Sequence, residues 1–314
     1  MHSLLSLVRG RVAAVLLTFS AAGLIGLVGP AASAQADTAP PDPAPPVTVS
    51  ADMLPTVQID GVVWSQAVHG NTVYAGGEFQ NARPAGAAPG TNLTPRHNLL
   101  AYDIRTGQLI TSFAPDLNAQ VKAMALSPDG TRLYVVGNFT KANGQNRYRI
   151  AAYDTASGNL VSTFAPALDY RASAVVATNT TVYVGGAFST ANGQPRPKVA
   201  AFNASNGGLL PWAPTPDDNI TAMLMSPDQS RIILGGIFRN VSGTPAYGMA
   251  AVDPTSGALM SWPAVNLIRN AGANAGITAL RTDGTYVYGS GYTFGSGGNL
   301  EGIFSSDAAG NIRW

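Results

Sequence analysis

Residues 133–164, LYVVGNFTKANGQNRYRIAAYDTASGNLVSTF, are one copy of a unit that recurs along the chain. An apolar run ends in Gly-x-Phe, a polar Asn-Gly loop follows, then an apolar-Tyr-Asp turn, and an aromatic closes the unit. The Gly-x-Phe anchor falls at Phe79, Phe139, Phe188, Phe238 and, more loosely, Phe294. The turn anchor falls at Asp103, Asp154, Asn203 and Asp253, with a worn copy at Asp307. The closing aromatic falls at Phe113, Phe164, Trp212, Trp262 and Trp314. Three anchors in register, returning about every fifty residues, define an internal repeat.

Each period reads as four short strands, in the period that holds the quoted stretch Val121–Leu126, Leu133–Phe139, Ile150–Tyr153 and Leu160–Phe164, all rich in β-branched, aromatic or aliphatic residues. Turn signals separate them. Ser127-Pro128-Asp129-Gly130 supplies a Pro with fixed φ, then residues that tolerate the turn's dihedrals. No stretch after the leader has sustained helical periodicity. The reading is an all-β chain, a β-propeller of about five four-stranded blades. Because the chain closes on the aromatic of its fifth unit, a fragment of a larger propeller stays open beside a complete one. Blades must bury their faces on each other, and the pairs Gly76-Gly77, Gly185-Gly186 and Gly235-Gly236 allow close backbone approach. Thr56–Asp60, ahead of the first unit, is expected to close the ring by adding a strand to the last.

The N-terminus divides differently. Residues 1–36 carry Arg9 and Arg11, an apolar run and an Ala-Ser-Ala exit, the pattern of a secretory signal peptide, so the chain is expected to be secreted or at the cell surface. After cleavage nothing would remain to insert stably in a membrane. Residues 37–56 are a Pro- and Ala-rich linker, and 57–314 the repeat domain. Charge is balanced, with 18 Lys and Arg against 17 Asp and Glu, which argues against nucleic acid, since phosphate binding needs a basic face. The chain has no cysteine, which removes disulfides, thiol catalysis and thiolate metal sites.

One stretch carries a family likeness: GGAFSTANGQPRPKVAAFN at 185–203, Gly-Gly-x-Phe, then Asn-Gly, Arg and Ala-Phe-Asn. It resembles the delta-sixty-type repeats of secreted bacterial β-propellers, in a version found in actinobacteria. The resemblance implies the propeller fold and export, and it is nearly silent about activity.

Candidate chemistry is sparse. There are 3 His, namely His2, His69 and His97, too few to converge on zinc. Glu78 replaces the Asn138, Ala187 and Ile237 of its sister units and is a candidate because it departs from the repeat. The larger candidate set is the connection between blades: Asp116, Asn118, Asp169, Asp217, Asp218 and Asn219. In a propeller these connections gather at one mouth of the axial channel, with loops carrying Arg147, Arg149, Arg196 and Lys198 outside them. Oxygen ligands suit calcium, and amides with aromatics suit carbohydrate or a surface protein. The expected function is a secreted or cell-surface binding module for carbohydrate or protein. The alternative is an extracellular enzyme on the same scaffold, a glycosidase or a quinone-dependent dehydrogenase.

Overall fold

Alternating apolar runs separated by Gly- and Asx-rich turns build five antiparallel sheets in chain order, seen in a computed structural model that describes residues 55–295 and 297–314. Residues 1–36, read above as a signal peptide, and nearly all of residues 37–56, read as a linker, lie outside the described residues. The sheets are Val62–His69, Thr72–Glu78 and Leu99–Asp103; Val121–Leu126, Arg132–Gly137 and Ile150–Asp154; Ala172–Ala177, Thr181–Gly186 and Val199–Asn203; Ile220–Met225, Ile232–Gly236, Met249–Val252 and Leu259–Met260; and Ala275–Thr282, Val287–Thr293 and Gly302–Ser306. Each is an up-and-down meander with the first strand innermost. All five inner strands line one channel of about 530 Å³. The architecture is a β-propeller.

The expected fourth strand is a ladder only in the fourth blade. Elsewhere it shrinks to one bridge: Tyr102 with Leu109, Tyr153 with Leu160, Phe202 with Leu209, and Ser306 with Ile312. The closing aromatic then leaves the sheet to pack between blades. Phe113 lies 5.1 Å from Tyr74 of its own blade and 6.1 Å from Tyr153 of the next, both edge-on. Trp212 meets Tyr183 in the same way at 5.1 Å, and its Nε1 donates to the Asp253 carbonyl of blade four at 2.9 Å. Each buried aromatic adds about 0.5–1.5 kcal/mol through such pairing beyond its burial.

Two sequence anchors do not behave as their spacing suggests. Trp314 is 56% exposed where Trp212 is 2%. Register places Gly291 opposite Ile277, as Gly236 lies opposite Ile220, so Thr293 and not Phe294 takes the buried phenylalanine's place; Phe294 is 65% exposed. The expected closure also fails. Gln58–Ile59 pairs with Ala82–Arg83 of the first unit, and the Val57 amide donates to the Gly107 carbonyl at 2.7 Å. That segment completes its own neighbour because its apolar Val57 and Ile59 bury against Phe79 and Ala82.

The glycine pairs perform two separate tasks. A Cβ on Gly185 would come within 2.5 Å of Ile220 and 2.7 Å of Met223, both on the next blade's inner strand. A Cβ on Gly186 would meet the Arg171 carbonyl at 2.4 Å, within its own sheet. The second blade has Val136 where the first glycine belongs, and the residue it faces is Ala172 where other blades have Val121, Ile220 or Ile277; Val136 and Ala172 share one core. Volume is conserved across the interface by exchange, the arrangement packed cores tolerate best.

Gly185→Val is therefore expected to destabilise the protein by about 1–3 kcal/mol through overpacking, and adding Ile220→Ala should restore part of that loss. Urea unfolding of the two single variants and the double variant checks it. Additive losses would show that the two positions are not coupled.

Candidate functional site

Every inner strand contains a β-bulge at the same place. Register slips between Val63 and Ser65, Val121 and Ala123, Ala172 and Ala174, Ile220 and Ala222, and Ile277 and Ala279. The extra residues are Trp64, Lys122, Ser173, Thr221 and Thr278, and all five line the channel. Bulges commonly redirect a side chain in this way beside functional sites. Three of the five are small hydroxyl residues. Trp64 and Lys122 are the exceptions, and they meet: the Lys122 ammonium sits over the Trp64 ring, 4.3 Å from its centre. Trp64 is 48% exposed.

A cavity of about 420 Å³ at this end of the channel is lined by Trp64, Gln120, Lys122, Asn138, Arg171, Ser173 and Thr221. Arg171 is exposed and stands 5.5 Å from the ring centre of the exposed Tyr170. Just outside, Arg149 donates to the Asn138 main-chain carbonyl, and Lys198 donates to that of Ala187 at 3.3 Å. Both occupy left-handed backbone, φ 73° and 70°, where the chain enters its third strand.

The polar side chains of the blade connections serve the fold. The Asp169 carboxylate accepts the Ser189 and Thr190 amides at 2.9 and 3.0 Å. Asp217 accepts those of Arg239 and Asn240 at 2.8 and 3.0 Å, and Asn118 those of Thr140 and Lys141 at 2.8 and 2.9 Å. Asp60 does the same with Gln80 and Asn81. Each acid or amide thus clamps the hairpin between the second and third strands of its blade. Partial burial pushes the Asp169 and Asp217 carboxyls up, but the donated hydrogen bonds outweigh it and hold both below the usual carboxylate range. Asp218 accepts the neighbouring Asn219 amide at 2.7 Å, and the Asn219 carbonyl receives the Ile237 amide. Asp116 pairs instead with His97 Nδ1 at 2.7 Å on the exposed rim. Glu78 is exposed at the end of its strand, opposite Val62. Among the described residues no three His, Cys, Asp or Glu side chains converge as metal ligands.

Part of the basic rim is also structural. Arg96, Arg147 and Arg196 recur in register, and each guanidinium reaches a carbonyl of its blade's closing segment, at Thr111, Val161 or Leu210. His69, on the opposite end of its strand, packs its ring against Gly130 of the next blade's turn. The site that the connections frame, Trp64 with Lys122 and Arg171, was not singled out by the sequence. Its signal was present as two large residues at a repeat position otherwise held by Ser or Thr.

Residues 127–164 and 181–208 match the family described as Domain of unknown function (DUF5122) beta-propeller. These segments fall in the second and third blades. No curated protein matches the sequence. Among solved structures, the computationally designed Ika4 protein aligns at 13% identity and a TM-score of 0.38, over 56% of this chain and 86% of that one. The structure of U3-55K aligns at 10% identity and a TM-score of 0.49, over 75% of this chain and 62% of that one, so the chain spans less than two thirds of its length. Among the described residues no helix is long and apolar enough to cross a membrane.

Two outcomes follow from the clamps. Asp169→Asn should lie within about 0.5 kcal/mol of the parent at neutral pH, because Asn118 makes the same two bonds, whereas Asp169→Ala should lose about 1–2 kcal/mol by leaving both amides unpaired. Urea titration measures both. The turn carboxylates add a pH dependence: hydrogen bonds from the Arg105 side chain lower Asp103 from 3.8 to about 2, and those from Ser157 and Ser256 lower Asp154 and Asp253. Groups depressed by folding stabilise above their unfolded value and lose that effect as pH falls through the folded one. The melting temperature should therefore decline as pH drops from about 4 towards about 2; a flat profile there would contradict the assignment.

Proposed function

We propose that this protein is a secreted or cell-surface β-propeller that binds carbohydrate at one mouth of its channel without cleaving it. The observation that carries the reading is Trp64: a half-exposed indole on an inner-strand bulge, at a repeat position filled elsewhere by Lys, Ser or Thr. An exposed aromatic platform beside hydroxyl and amide groups is suited to a sugar ring, whose faces are apolar and whose edge is polar. The leader-like residues 1–36 and the likeness to delta-sixty-type repeats support export. The channel wall supports binding over hydrolysis. It consists of aliphatic side chains, methionines, hydroxyls, Trp64, Gln66, Lys122 and Arg281, whereas glycoside hydrolysis ordinarily uses a pair of carboxyl groups flanking the scissile bond.

A glycan array probed with the full chain and with Trp64→Ala tests the reading. The parent should retain at least one glycan class and the variant should lose at least tenfold in affinity, with an unchanged melting temperature because the ring is half in solvent. Release of reducing sugar from a bound glycan would instead establish the hydrolytic alternative.

A further inference from the structure

The cavity beside Trp64 is lined by two cations and by no carboxylate, and we infer that the ligand it takes is an acidic glycan, one bearing carboxylate or sulfate groups. The inference rests on the carbohydrate-binding reading and names the class of sugar. Two cations border the same 420 Å³ cavity, Lys122 from the second blade and Arg171 from the third. Each is seated against an aromatic ring, Lys122 on Trp64 and Arg171 by Tyr170, and the rings fix the charges while leaving their N–H donors unused. Among the described residues neither cation forms an ion pair; the two ion pairs present are His97 with Asp116 and Arg105 with Asp103. Asp169 and Asp217 stand outside this lining, with their carboxylates held on the main-chain amides of their hairpins. Arg149 and Lys198 add positive charge behind the same two blades.

The rest of the wall calls for hydrogen-bond donors as well as negative charge. The side-chain oxygens of Gln120 and Asn138 are buried without a protein donor, and unpaired buried acceptors are rare in folded proteins. A glycan offers both requirements, hydroxyl donors along the ring and an oxyanion on its edge. A neutral glycan meets only the first, and a polyglutamate-like acidic peptide offers the charge without the hydroxyls.

The test uses the full chain and matched ligands. Polygalacturonate is compared with its methyl-esterified form, and dextran sulfate with dextran, so that backbone is constant and charge varies; poly-glutamate is the peptide control. Affinities are measured for the parent, Lys122→Gln, Arg171→Gln and Trp64→Ala, each checked for an unchanged melting temperature. The expected result is binding of one or both acidic chains, at least tenfold weaker for the neutral partner and for either charge variant, and weakening with added salt. Whichever acidic chain prevails identifies the oxyanion. Equal binding of neutral and acidic chains, with loss only in Trp64→Ala, would overturn the acidic inference and leave the carbohydrate reading standing. Binding of poly-glutamate alone, or of no glycan, would overturn both.

Discussion

Each inner strand holds one residue more than the strand it pairs with, and the placement of that residue ties the propeller's packing to its surface chemistry. The carbonyl ahead of the bulge, such as that of Arg171, lies so close to the second strand that only a glycine such as Gly186 leaves room. The same distortion turns the extra side chain into the channel.

Blade stacking imposes the second constraint. A three-stranded sheet has two apolar faces, so every blade depends on its neighbours, and contacts between inner strands leave almost no spare volume. The exchange of Gly and a β-branched residue for Val136 and Ala172 shows that the constraint acts on the sum across an interface. The closing aromatics complete the same interface further out. Side chains with free polar ends reinforce it, as when Tyr183 donates to the Pro254 carbonyl of the following blade at 2.8 Å.

The chemistry of the mouth follows from how the repeat spends its polar groups. A hairpin between strands two and three ends with main-chain amides that the sheet ladder does not use, and an acid or amide ahead of the next inner strand satisfies them. Asp60, Asn118, Asp169 and Asp217 serve this purpose in four blades, and Asn270 accepts the Asn299 and Leu300 amides in the fifth. Carboxylates so engaged keep their charge but are held on their own hairpins and do not line the cavity beside Trp64. Lys122 at its bulge and Arg171 just ahead of the next inner strand are under no such claim, so the cavity they line carries two cations although the rim is rich in Asp.

Local signals in the sequence were enough for the period, the first three strands of each blade, the turns and the propeller, because alternation and turn dihedrals are properties of neighbouring residues. The Asx turns at Asp103, Asp154 and Asn203 formed where their side chains could reach amides two or three residues on. What only the tertiary structure decided was the use of long-range partners. Asp169 and Asp217 belong to one motif with Asn118, and the sequence could not distinguish ligands for calcium from clamps on a hairpin twenty residues away, since either role selects for oxygen. Trp212 and Trp314 occupy the same place in the repeat, yet one is enclosed by the next blade and the other lies in the open. Trp64 and Lys122 come from different units, and their contact exists because two bulges bring adjacent blades to the same height along the channel.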